Sequence, residues 1–103
     1  MEFENVTVVK KANVYFDGKV VSRTVKFADG STKTLGFMQV GDYTFNTGVA
    51  ELMEFFRGEV EIELPNRKEP LIINGEGSFE VPAHSSFTLH VKSLADYCCS
   101  YLR

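Results

Sequence analysis

From Val21 onward the chain is written in short runs whose side chains alternate in character with period two, and turn signals stop each run: Asp29-Gly30, Gly41-Asp42, Arg57-Gly58, Pro65-Asn66 and Asn74-Gly75. Period two belongs to strands, whose side chains point by turns to the two faces of a sheet, and helical spacing of three and four is hard to find. The pattern predicts strands over 21–27, 32–40, 43–47, 51–56, 59–64, 71–73, 79–81, 87–91 and 97–102. Many short strands with closely spaced turns leave two architectures, a β-sandwich or a β-barrel.

The alternation also assigns faces. Glu59, Glu61 and Glu63 alternate with Val60, Ile62 and Leu64, one wet face against one buried face. Glu51, Met53 and Phe55 alternate with Leu52, Glu54 and Phe56, so this strand carries large apolar groups on both faces and should be covered on both. If Met53 and Phe55 line the interior, Leu52 and Phe56 form an apolar strip that another sheet or a second subunit must cover. His90 has the opposite parity to Phe87 and Leu89 and is expected to face away from the interior.

A length of 103 residues with 44% hydrophobic side chains, nine Phe among them, supplies one core and one domain, 1–103, with residues 1–13 as an N-terminal extension or edge strand. A net charge of −3 provides no basic field for a phosphate backbone, which argues against nucleic-acid polymers as partners. No run has membrane-spanning length and Met1 to Lys11 lacks a signal-type apolar core, so a cytoplasmic location is expected. Cys98 and Cys99 are adjacent and point to opposite faces of a strand, so they read as free, buried thiols.

Two segments resemble the paired signatures of the cupin family, which sets metal-binding histidines and a glutamate on inward-facing strands of a jelly-roll barrel. Gly41 to Gly58 keeps the framing glycines and places Glu51 seven residues before Gly58, but Tyr43 and Phe45 stand at the first two ligand positions. In the second segment Pro82 matches the family proline, His84 sits at the usual glycine and Phe87 takes the place of the last ligand histidine. Tyr and Phe cannot supply the imidazole nitrogens such a metal needs, so the resemblance implies a metal-free, cupin-like all-β jelly-roll barrel.

The fuller similarity is to the small cupin-type pyrimidine/purine nucleoside phosphorylases. It rests on Tyr15-Phe16-Asp17-Gly18-Lys19-Val20, on Gly41-Asp42-Tyr43-Thr44-Phe45 with Glu51 and Met53, on Leu64-Pro65, on Phe79 through Phe87, and on the ending Tyr97-Cys98-Cys99-Ser100-Tyr101-Leu102. The resemblance implies phosphate-dependent cleavage of purine and pyrimidine nucleosides to free base and pentose 1-phosphate, with no metal or organic cofactor, by a homodimer. The partners it implies are nucleosides and inorganic phosphate.

Such a reaction passes through a sugar with oxocarbenium character, so it calls for an anion near the ring and donors around phosphate. Glu51 is the candidate for the first role, against the alternative of an ordinary structural glutamate, and His84 is the second catalytic candidate. Tyr43, Phe45, Met53 and Phe87 are candidates for holding the base, with core filling as the plain alternative. Lys19 and Ser85 are candidates for binding phosphate or the base edge. Two rival readings stay open: a non-catalytic, metal-free cupin that binds a sugar or nucleotide, and a metal-dependent cupin enzyme using Glu51 and His84, with or without a cysteine.

Overall fold

The computed structural model describes residues 1–102. Its elements in chain order are β1 (Thr7–Val8), β2 (Asn13–Tyr15), a one-turn 3-10 segment (Phe16–Gly18), β3 (Val20–Lys26), β4 (Thr32–Met38), β5 (Gly41–Asn46), β6 (Ala50–Arg57), β7 (Glu59–Glu63), β8 (Leu71–Asn74), β9 (Gly77–Val81), β10 (Ser86–Val91) and β11 (Ala95–Leu102). All nine strands expected from the alternation are present, and two further short strands lie in the segment read as an extension or edge. Every pairing is antiparallel. The larger sheet runs β1-β3-β4-β11-β6-β9 with β2 also on β3, and the smaller sheet runs β5-β10-β7-β8.

The two sheets close on each other because their inner faces carry the apolar half of each alternation. Val20, Met38, Met53, Phe55, Phe79, Val81, Ala95, Tyr97 and Cys99 of the large sheet pack against Tyr43, Val60, Ile62, Ile73, Phe87, Leu89 and Val91 of the small one. At the centre Phe55, 1% exposed, packs its ring 6.0 Å from Phe79 and 6.2 Å from Tyr97. The outer edge of β3 is shielded at one end by β1, through Thr7↔Lys26, and at the other by β2, through Asn13↔Ser22. Covering an edge removes the unpaired backbone groups that otherwise recruit another chain.

Leu52 and Phe56 stand on the outer face of the large sheet and are partly buried there. Phe56, Leu35, Glu54 and Cys98 line a groove over which the N-terminal segment runs, with Met1, Phe3, Val6 and Val8 on its wall. Phe3 meets Phe27 edge-on at 5.1 Å, and Lys33 Nζ lies 5.5 Å from the Phe3 ring.

The acidic stripe on β7 is more than a solvated face, because β10 brings His90 to it. His90 Nδ1 lies 2.7 Å from Asp42 Oδ1 on β5, and Nε2 is hydrogen-bonded to Glu63 on β7, so one imidazole ties three strands together. Both ring nitrogens can donate only in the imidazolium form. The bond to Glu63, then that to Asp42, raises the pKa of His90 above its ordinary value. A raised folded-state pKa gives stability that is full below the unfolded value and is lost as pH rises through the folded one. His90→Gln is therefore expected to flatten the decline in melting temperature of the wild type between mildly acidic and mildly alkaline pH, read by thermal melts of both proteins.

Candidate active site

One end of the barrel holds a cavity of about 270 Å³ lined by Tyr15, Ser22, Thr34, Met38, Phe45, Asn46, Glu51, Met53, Phe87, Tyr97, Cys99 and Tyr101. Its size lies near the lower end of ordinary small-molecule sites. The lining divides by chemistry. Phe45 and Phe87 of the small sheet stack at 5.9 Å with their planes 28° apart, and Met38 and Met53 line the cavity from the large sheet. Across from it Ser22, Thr34, Tyr97 and Tyr101 present hydroxyls, with Cys99 and Glu51 among them.

Each wall follows from strand register. On β11 the inward positions are Tyr97, Cys99 and Tyr101, and β4 sets Gly36 opposite Tyr97 and Thr34 opposite Cys99. Burial raises the pKa of Tyr97 and that of Tyr101, the latter to about 12. These phenols stay protonated and keep their donors at physiological pH. Asn13 Nδ2 donates to Ser22 Oγ at 3.2 Å and to Thr24 Oγ1 at 3.1 Å, anchoring the hydroxyl wall to β2.

Gly36 makes room for this wall. A Cβ there would stand 2.2 Å from the Val21 carbonyl oxygen and 2.8 Å from Ser22 Cβ, so β3 could not stay where it is. Gly36→Ala is expected to destabilise the protein by about 1–3 kcal/mol through overpacking, read as a lower urea midpoint at unchanged slope.

Glu51 enters near the start of β6, opposite Tyr101 on β11 and Val81 on β9. Burial raises the pKa of its carboxyl above the usual range, and a hydrogen bond from Cys99 partly offsets this. No lysine, arginine or histidine lines the cavity among the described residues, so the carboxyl sits there without a cation.

The turn into β3 shapes the rim. Phe16, Asp17 and Gly18 all have positive φ, at 51°, 56° and 91°. Side chains resist that region, and the strain is offset where the Phe16 ring packs 4.9 Å from Tyr43 and 5.4 Å from Phe45. The same turn leaves Tyr15 on the cavity wall, 6.2 Å from Phe45.

Of the residues singled out from sequence, Glu51, Phe45, Met53 and Phe87 meet in the cavity. Tyr43 is buried beneath Phe16 and donates its hydroxyl to the Gln39 carbonyl at 2.6 Å, outside the lining. Lys19 is exposed after the 3-10 turn. His84 is exposed with φ of 53°, in a loop pinned by its N–H to the Gly48 carbonyl at 3.1 Å. Ser85 donates its hydroxyl to the Ala83 carbonyl and its N–H to Thr47 Oγ1 at 3.0 Å. Reasoning from sequence missed Tyr15, Ser22, Thr34, Met38, Asn46, Tyr97, Cys99 and Tyr101 as lining residues. Their signal was present only as the parity of 97, 99 and 101.

The cupin positions that hold metal elsewhere do not fit one here. Phe45 and Phe87 offer no donor atom to the cavity, and no group of three His, Cys, Asp or Glu converges among the described residues.

Two antiparallel sheets closed over a ligand-sized cavity with signature positions on its wall make this a cupin-type barrel. A cupin-2 domain protein from Shewanella frigidimarina shares the fold, with a TM-score of 0.65 at 11% identity over 80% of this chain and 79% of that one. Within that class the family model for pyrimidine/purine nucleoside phosphorylase matches residues 10–101. A pyrimidine/purine nucleoside phosphorylase of Sulfurimonas denitrificans is 59% identical over 102 residues, 99% of this chain and 98% of the relative. One from Geobacter metallireducens is 61% identical over 101 residues, 98% of this chain and 97% of the relative. The solved structure of a protein of unknown function from Acinetobacter sp. ADP1 superposes with a TM-score of 0.92 at 39% identity, covering 98% of both chains. The chain belongs to the pyrimidine/purine nucleoside phosphorylase family.

Proposed function

We propose that this protein is a nucleoside phosphorylase of broad specificity, cleaving purine and pyrimidine nucleosides with inorganic phosphate to free base and pentose 1-phosphate. The observation that carries this reading is the half-buried carboxyl of Glu51, without a cation beside it among the described lining residues, in one cavity with a stacked aromatic pair in a family member. The base lies against Phe45 and Phe87, and stacking accepts either base class because every base has a π-face. Met53 and Met38 fill the space beside it. The ribose then lies toward Glu51.

A phosphate oxygen forms a bond to C1′ as the C1′–N bond breaks. The proton lost by hydrogen phosphate ends on the departing base, so the reaction balances without another reactant. Glu51, as carboxylate, steadies the positive charge that develops on the sugar ring. Phosphate is held by neutral donors, the Thr34 and Tyr101 hydroxyls first among them. Lys19, His84 and Ser85 are given no contact with the reacting atoms, and Tyr43 supports the wall through its bond to Gln39.

We also propose a homodimer formed over the outer face of the large sheet. Leu35 and Phe37 are 38% and 52% exposed there, and a second copy covers them. The two free, buried thiols suit a reducing compartment, and we place the protein in the cytoplasm. Initial rates with uridine, cytidine, adenosine and inosine, with and without phosphate, test the reaction. Phosphate-dependent release of base from both classes, unchanged by a chelator, is expected. Saturable nucleoside binding with no product would overturn it in favour of a binding module, and light scattering at the monomer mass would overturn the dimer.

A further inference from the structure

Cys98 and Cys99 are chemically identical neighbours on one strand, and β11 sends them to opposite environments. Cys98 faces the outer groove, whereas Cys99 faces the cavity. Cys99 lies opposite Met53 on β6, one inward position along from the Tyr101↔Glu51 pair, so Glu51 is its diagonal neighbour on the same face. Diagonal neighbours in an antiparallel pair are within side-chain reach. The thiol donates to Glu51 Oε1 across 3.4 Å. We propose that Cys99 is a positioning residue for Glu51: its S–H holds one carboxylate oxygen, leaves the other free for the ribose, and sets the pH range in which the carboxylate works.

The direction of the bond is fixed by the surroundings. Burial, followed by the charge of Glu51, raises the pKa of Cys99, so it stays a thiol and acts as donor. A neutral donor favours the ionised carboxyl, in opposition to the burial that disfavours it. Among the described residues no cation lines the wall, and this thiol is the side chain that offsets the burial of Glu51. A guanidinium in its place would lower the carboxyl pKa strongly and neutralise the field at the sugar. The thiol, a weak donor, orients Glu51 and leaves its charge available.

This inference rests on the phosphorolytic reading of the cavity. The test is the pH profile of kcat at saturating nucleoside and phosphate for the wild type, Cys99→Ala, Cys99→Val, Cys99→Ser and Cys98→Ala, with the strongly slowed Glu51→Gln as the reference. The titration of phosphate itself is common to all and drops out of the comparison. Cys99→Ala and Cys99→Val are expected to move the acid limb upward by about half to one pH unit, the size of one neutral hydrogen bond. Cys99→Ser, which restores a donor, should return the limb toward the wild type, and Cys98→Ala should leave it in place. Superimposed limbs for the wild type, Cys99→Ala and Cys99→Val, with Glu51→Gln strongly slowed, would overturn the positioning role while leaving the reaction standing.

A wild type without phosphorolysis would instead overturn the reaction. The contact itself is then read from the S–H stretching band of Cys99 in infrared difference spectra against Cys99→Ala. A hydrogen-bonded frequency that moves to the free-thiol position in Glu51→Leu supports the contact, and a free-thiol frequency in the wild type overturns it.

Discussion

Glu51→Gln is expected to lower kcat for phosphorolysis by about 10²–10³-fold, the usual effect of removing one group aimed at charge that develops in a transition state. Glutamine keeps the shape and an oxygen for the Cys99 thiol but removes the negative charge, so the loss should fall on kcat more than on KM for nucleoside. The same substitution should leave the melting temperature at neutral pH unchanged or higher. Burial raises the carboxyl pKa of Glu51, so stability is full below the unfolded-state pKa and is lost as pH rises through the raised folded-state one. Below the unfolded-state pKa the wild type and the variant should melt alike. A glutamate present only for structure predicts the opposite pair of results, a lower melting temperature and near-normal turnover. The wild-type profile should lose activity as pH falls through the raised Glu51 pKa, with its acid limb above the ordinary carboxyl range.

Phe55→Ala is the substitution expected to cost the fold most, about 3–5 kcal/mol. The ring is almost wholly buried and bridges Phe79 on β9 to Tyr97 on β11, so its loss leaves a void between three strands of the large sheet. Tyr97 lines the cavity. The variant should therefore also raise KM for nucleoside at temperatures where it remains folded. Chemical denaturation monitored by circular dichroism checks the first effect, and steady-state kinetics checks the second.

The contrast between these two positions shows what alternation along a single strand can and cannot disclose. Met53, Phe55 and Glu51 share a parity that needs no knowledge of the neighbouring strands, and so do Phe87 and Leu89. Nine of the eleven strands, and the placing of Glu51, Phe45, Met53 and Phe87 at one cavity, were legible for that reason, whereas the short β1 and β2 were not. Ser22 and Thr34 carry small polar side chains that would suit either face of a sheet. Only the pairings Ser22↔Gly36, Gly36↔Tyr97 and Thr34↔Cys99 bring them beside the tyrosines of β11. Register is a property of two strands, and one sequence does not disclose it.

Lys19 and His84 illustrate a different limit. Each has the chemistry a phosphate site wants and each lies in a segment that resembles the family, yet both are exposed and neither lines the cavity. Lys19 follows three residues of positive φ, and His84 adopts positive φ itself while its loop is fastened to Thr47 and Gly48. Residue type names the chemistry, and such turn geometry is not written in it. Tyr43 met a third condition. A buried hydroxyl needs a partner, and the Gln39 carbonyl four residues away supplied one outside the cavity.

The central claim is that the cavity around Glu51 transfers a pentosyl group from a base to phosphate. Phosphorus NMR of the protein incubated with uridine or adenosine and inorganic phosphate tests it most directly. The expected result is loss of the inorganic phosphate signal, growth of a pentose 1-phosphate signal and release of one base per phosphate consumed, all slowed about 10²–10³-fold in Glu51→Gln. Free base formed with the phosphate signal unchanged, or equal turnover in Glu51→Gln, would contradict it.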